Sequence, residues 1–262
     1  MPARCAVLLC LLFVFTATAR PAGPPSVFIE ELTWTELRDL VAAGRTTAIV
    51  PVGGTEQNGP HMALGKHNVR VRLLAGKIAA GLGNALVAPV LPYVPEGALD
   101  PPTAHMRYPG TLTAPQDAFE KIVEYAARSL ARHGFRDIVL IGDHGSYQKD
   151  LAAVAARLNR EWAKTPARAY AVAEYYDQSA HGFAKLLERS GYSAGEIGTH
   201  AGLADTSLMM ALDPGLVRGD RLRPGEGDNG DPSRSSAALG AQGVELIVTK
   251  TIEAIRRATA RR

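Results

Sequence analysis

Cysteine is nearly absent from this 262-residue chain: there are two, Cys5 and Cys10, both within the first ten residues. Residues 20–262 therefore carry no thiol, which excludes a disulfide framework, a cysteine nucleophile and a thiolate metal ligand there. Any metal must be held by histidine, carboxylate or amide groups. Charge of one sign is also scarce, with 29 Lys and Arg against 26 Asp and Glu and a net charge of +3. No basic tail or stripe stands out, so a nucleic-acid partner is not expected. Long apolar runs are limited to Cys5–Phe15, which is too short to cross a bilayer comfortably. A basic Met1–Arg4 precedes that run, and Thr16-Ala17-Thr18-Ala19 follows it with small residues at −3 and −1 of a cut after Ala19. This is the layout of a secretory signal peptide, and a retained membrane anchor is the alternative. The expectation is an exported protein, periplasmic or secreted. Its mature chain, residues 20–262, is expected to be a single domain that meets no membrane after signal cleavage.

What is present is an alternation of strand-like and helix-like segments. Thr33 with Glu36 three residues later reads as a helix start, and Thr46 to Val52 as a buried strand. Val69 to Leu82 has helical periodicity, and Ala85 to Val94 reads as a second strand containing prolines. A helix near Pro115 to His133, a strand over Arg136 to Asp143 and a helix over Lys149 to Trp162 follow. Ala167 to Tyr176 is again strand-like. Helices are predicted over Gln178–Arg189, Asp205–Leu212 and Ser236–Arg256. Such alternation implies an α/β fold with a mostly parallel sheet covered on both faces.

In open α/β sheets, ligands collect at the carboxyl ends of strands. One strand runs into Thr55-Glu56, another into Asp143-His144-Gly145, and a third polar cluster, Gly198 to Ser207, enters a helix. Carboxylates and histidines gathered in this way make a hard-to-borderline metal site.

These segments match a known pattern. Glu56-Gln57, Gly59-Pro60-His61 and Leu64-Gly65 match the start and middle of the Glu-Gln-His-Gly-Pro-His-Leu-Pro-Leu-Gly-Thr-Asp segment of the creatininase (creatinine amidohydrolase) family. Tyr108 to Thr113 resembles that family's Phe-Pro-Gly-Thr turn, with His105 placed as the family places a histidine. Ile141 to Ser146 is similar to its Asn-Gly-His-Gly-Gly-Asn motif. His200 to Ser207 resembles His-Ala-Gly-x-x-Glu-Thr-Ser, and Asn229 to Ser233 resembles a late Gly-Asp-Pro. Thr33-Trp34 fits the usual opening. The resemblance implies a three-layer α/β/α sandwich and a metal-dependent hydrolase acting on amide or cyclic-amide C–N bonds of small molecules. It also implies a homo-oligomer, often a hexamer, and two divalent ions, zinc foremost with manganese as the other candidate.

Three departures bear on the metal. The family histidine after Glu-Gln is Asn58, the metal-bridging aspartate is His67, and the glutamate of the His-Ala-Gly motif is Asp205. Amides bind zinc poorly, and an imidazole cannot bridge two cations through paired oxygens. One ion is expected in place of two, with Glu56, His67 and His144 as ligands and Asp205 as a fourth ligand or a base. His200 falls where the family has a proton donor to the leaving nitrogen. His61 and His105 are secondary candidates, as turn support and pocket lining. His133 reads as a helix-end residue, His181 as surface, and Tyr175 and Tyr176 as sheet-edge packing. Two competing functions are an inactive small-molecule-binding protein on the same fold and a serine hydrolase using Ser146 or Ser207. The latter lacks a Gly-x-Ser-x-Gly elbow.

Overall fold

The computed structural model describes residues 26–260, and the predicted signal segment at residues 1–19 lies outside the described residues. Four strands form one parallel sheet: β1 Thr47–Val52, β2 Ala85–Val87, β3 Asp137–Gly142 and β4 Arg168–Ala171, in the order β2-β1-β3-β4. Thr47 stands opposite both Ala85 and Asp137, so the carboxyl ends of β1 and β3 emerge side by side. β1 and β3 are buried along their whole length, as expected of central strands covered on both faces.

Alternate residues of each strand serve opposite layers. Ile49, Val139 and Ile141 pack with Val71, Leu74 and Ile78 of α2 (Lys66–Leu82), Leu208 of α8 (Leu203–Leu212) and Ile247 of α9 (Ala237–Thr259). Ala48, Val50, Ile138 and Leu140 pack with Phe119 and Val123 of α3 (Gln116–Arg132) and with Leu151, Val154 and Leu158 of α4 (Gln148–Glu161). The three-layer α/β/α sandwich follows from that division. The first helix, α1 (Trp34–Ala42), opens on the predicted capping box: Thr33 accepts from Glu36 N, and the Glu36 carboxylate accepts from Thr33 N at 2.7 Å.

Several boundaries differ from expectation, each for a local reason. β2 stops at Val87, just before Pro89 and Pro92, which cannot donate to a ladder. β4 stops at Ala171, and the chain turns into α5 (Glu174–Asp177), an irregular turn and α6 (Phe183–Arg189). Tyr175 and Tyr176 are therefore helical, not sheet-edge, residues. α2 begins at Lys66, three residues before its expected start, which puts Lys66, His67 and Arg70 on its first turns. A short helix, α7 (Ala194–Ile197), precedes the segment that carries His200.

Candidate metal centre and active site

Glu56 is the hub of the site. It lies just beyond the end of β1, is fully buried, and faces a ring of imidazoles. Its Oε1 is 2.7 Å from His67 Nε2 and 3.6 Å from His200 Nδ1. Its Oε2 is 3.2 Å from His105 Nε2 and 3.5 Å from His144 Nε2, yet has no hydrogen-bond partner. Two sets of ligand atoms lie within 4.8 Å of one another: Glu56, His67 and His144, and Glu56, His105 and His200.

Each imidazole is aimed by a contact at its other nitrogen, the arrangement that orients metal-binding histidines. His67 Nδ1 is 2.6 Å from Asp143 Oδ2, and His144 Nδ1 is 2.8 Å from Ser146 Oγ. His105 Nδ1 lies 2.9 Å from Gln57 Nε2, and His200 Nε2 is 2.9 Å from Gln57 O. The loop carrying Glu56 and Gln57 is fastened to the first turn of α2. Asn68 Oδ1 accepts from Gly54 N at 2.9 Å, and a Cβ at Gly53 would come within 2.1 Å of that same oxygen. Only glycine allows so close an approach.

Behind the imidazoles lies a charged layer. Lys66, fully buried, donates to Asp205 Oδ2 at 2.9 Å and stands 3.9 Å from Glu56 Oε1. Arg70 donates through Nε to Asp143 Oδ2 at 2.8 Å and through Nη1 to Asp205 Oδ1 at 2.6 Å. Tyr175 adds a hydroxyl to Asp143 Oδ1 at 2.6 Å. A buried carboxylate, Glu96, lies beside Glu56, and its Oε2 is 3.8 Å from His144 Nε2.

The electrostatics follow from these contacts. Burial alone would raise the Glu56 carboxyl, but His67, Lys66 and His144 hold it well below the usual carboxylate range. Burial likewise opposes ionisation of Asp143 and Asp205, and it is outweighed by Arg70 and His67 at the first and by Lys66 and Arg70 at the second. At Glu96 burial, then the charge of Glu56 and hydrogen bonding with it, outweigh the pull of Lys66 and push it up to about 9. Burial, then the charge of His67, lowers His144 to about 3; burial, then Lys66, lowers His200 to about 4. Both rings are therefore neutral at neutral pH, the form that ligates metal.

The residues fit a divalent cation. Two buried carboxylates, Glu56 and Glu96, stand with the His67 and His144 imidazoles around one space, an oxygen and nitrogen donor set of the kind a divalent cation takes. The unpartnered Glu56 Oε2 lies where such an ion would bind.

The structure thus brings together Glu56, His67 and His144, and places His200 and His105 against the same carboxylate. It does not bring Asp205 to them: both Asp205 oxygens are taken by Lys66, Arg70 and the Ala201 amide, so it anchors the cations instead. Asn58 also faces away, donating to Glu56 O at 2.9 Å and Ala63 O at 3.1 Å within its own loop. His61 bonds Thr206 Oγ1 at 2.9 Å through its side chain, not the backbone of its turn. Ser207 is buried and accepts from Ser236 N, while Ser146 donates to Pro95 O, so neither hydroxyl opens onto the cavity.

Sequence reasoning passed over Lys66, Arg70 and Glu96, and it read Tyr175 as sheet-edge packing. For the first two a signal existed, because the buried stripe of α2 at Val71, Leu74, Ala75 and Ile78 continues back by helical spacing to Arg70, His67 and Lys66. Glu96 sits in an aperiodic loop and gave none. A cavity of 310 Å³ opens beside the centre, lined by Lys66, Arg70, His105, His144 and His200 together with Tyr176, Thr199 and Asp205.

A model of the Creatininase family, described as creatinine amidohydrolase, matches residues 30–255. The chain is 32% identical over 202 residues to a creatinine amidohydrolase of Pseudomonas putida, covering 75% of this chain and 76% of that protein. It is 28% identical over 179 residues to a mycofactocin precursor peptide peptidase of Mycolicibacterium smegmatis, covering 66% of this chain and 61% of that one. Among solved structures, "Creatininase Mn" superposes with a TM-score of 0.74 at 28% identity, covering 89% of this chain and 99% of that chain. A mutant creatininase of Zn-Zn type gives a TM-score of 0.72 at 28% identity, covering 90% and 99%.

Proposed function

The chain belongs to the creatininase family, and on that premise we propose that it hydrolyses an amide or cyclic-amide C–N bond of a small polar molecule with the help of a divalent metal ion. One observation carries this reading: four imidazole nitrogens on four separate segments converge on the two oxygens of a single buried carboxylate, Glu56. Glu56, His67 and His144 would hold the ion, which polarises a carbonyl and lowers the pKa of water when bound. Its identity as zinc or manganese is a matter for metal analysis.

The chain's own groups account for the remaining steps. The cavity admits only a small substrate, and Lys66 and Arg70 are among the groups that line it. His200 Nε2 lies 2.9 Å from Gln57 O and 3.0 Å from Gln57 Nε2, and in the tautomer that donates to the carbonyl its Nδ1 presents a lone pair toward Glu56 and the cavity. In that state Nδ1 takes the proton from the attacking water and then gives it to the departing nitrogen. Asp205, held ionised, fixes the Lys66 ammonium and the Arg70 guanidinium.

The reading extends to location and assembly. Loss of residues 1–19 would leave a cysteine-free mature chain outside the cytoplasm, assembled as a homo-oligomer with the hexamer as the family's form. The test of the function is hydrolysis of creatinine and of other small cyclic and linear amides by zinc- or manganese-loaded protein, followed through the new carboxylate formed. Turnover that disappears on chelation and returns with metal is the expected result. The departures at Asn58 and His67 favour one alternative, a catalytically inactive small-molecule-binding protein. No stoichiometric ion after dialysis, together with no turnover, would establish it.

A further inference from the structure

We propose that Glu96 is a ligand of the divalent ion at Glu56, His67 and His144, completing a centre of two carboxylates and two histidines. The inference rests on the metal reading given above and adds to it a residue from outside the strand-end motifs. Glu96 is 4% exposed, and neither of its carboxylate oxygens has a hydrogen-bond partner. A buried carboxylate without a donor is tolerated only if a cation or a proton meets it. Among the described residues the one fixed cation in contact with Glu56, Lys66, lies on the Oε1 side and is engaged with Asp205. The Oε2 side, where Glu96 stands, has no fixed cation among the described contacts.

The spacing suits an ion. Ligand atoms roughly 2.0–2.2 Å from a tetrahedral zinc stand roughly 3.3–3.6 Å apart. His144 Nε2 is 3.5 Å from Glu56 Oε2, within that range, and 3.8 Å from Glu96 Oε2, a few tenths of an ångström beyond it. The loop is also built to hold Glu96 there. Thr113 Oγ1 accepts from Glu96 N at 3.0 Å and donates to Gly97 O at 3.1 Å. Ser146 Oγ donates to Pro95 O at 2.9 Å while lying 2.8 Å from His144 Nδ1, so one hydroxyl links the Glu96 loop to the ring of the ligand histidine. Gly54, at φ +154°, leaves the space Glu96 fills, since a Cβ there would come within 2.7 Å of Glu96 Oε1.

The experiment is a titration of chelator-stripped protein with Mn²⁺, followed by electron paramagnetic resonance, and with Zn²⁺, followed by calorimetry. Parent, Glu96→Gln and Glu96→Ala are compared, with thermal melting of each in the stripped and loaded states. The parent is expected to bind about one equivalent, and both variants to bind roughly tenfold or more weakly. Their metal-induced rise in Tm should shrink. Metal-free Glu96→Gln should melt no lower than the metal-free parent, because two adjacent carboxylates have been reduced to one. Parent-like affinity and thermal shift in both variants would overturn the proposal and leave a proton shared between Glu96 and Glu56. That result would leave the metal reading intact, whereas a parent that binds neither ion would overturn both.

Discussion

Asn58 and His67 are two residues after β1 that differ from the family segment this stretch resembles, and they play opposite parts. The Asn58 side chain is buried but spends its donors on the carbonyls of Glu56 and Ala63, knotting the loop that presents Glu56. Asn58→Ala should leave metal content nearly unchanged and cost about 1–3 kcal/mol of stability through unsatisfied carbonyls. His67 stands between Glu56 and Asp143 and is one of three ligand candidates on a single ion. His67→Ala should lose metal and activity together. Elemental analysis beside urea unfolding separates the two variants, and full metal retention in His67→Ala would count against the assignment.

At the scale of elements, the first turns of α2 carry the electrostatic framework. Lys66 and Arg70 are four residues apart, hence on one face, and their helix docks that face on Asp205 of α8 and on Asp143 just past β3. Arg70→Met would leave two buried carboxylates without their shared cation and should cost about 3–5 kcal/mol in denaturant unfolding. A cost below 1 kcal/mol would show that Arg70 is not the link between the layers. The same network sets the acid limit. Asp143 and Asp205 are held below their usual values, so folding gains from them above the unfolded carboxyl pKa, near about 4. That gain is lost as pH falls through the folded values. Metal-stripped protein, followed by circular dichroism, should therefore hold its stability down to about pH 4 and weaken below it. Arg70→Met should begin to fail at higher pH.

The whole molecule leaves large apolar side chains on its surface, among them Trp34 at 73% and Leu99 at 72% exposure. Single exposed groups are ordinary on a protein surface, so the proposed oligomer rests on the family resemblance. Light scattering at micromolar concentration should give a mass several times that of the chain, and a monomer would argue against assembly. If the N-terminal segment directs export, mass spectrometry of protein from its natural host should find a chain beginning at Arg20. A mass that includes residues 1–19, with the protein in the membrane fraction, would support the anchor instead.

By itself the sequence determined the layering and the centre of the site. Strand and helix periods are local properties of the chain, so the sheet, the helices and the strand-end positions of Glu56 and His144 were legible before any contact was known. Its shortage of cysteine confined any metal to oxygen and imidazole ligands. Only the tertiary structure decided which charged groups share the buried space. Glu96 comes from an irregular loop after β2, Asp205 from α8 and Tyr175 from a segment that reads as strand, and no local pattern specifies their separations. Asp205 looked like a ligand because it follows a histidine motif, yet its oxygens belong to Lys66 and Arg70. A charge buried in a fold must find its counter-charge wherever packing places one, and that pairing is a property of the folded chain as a whole.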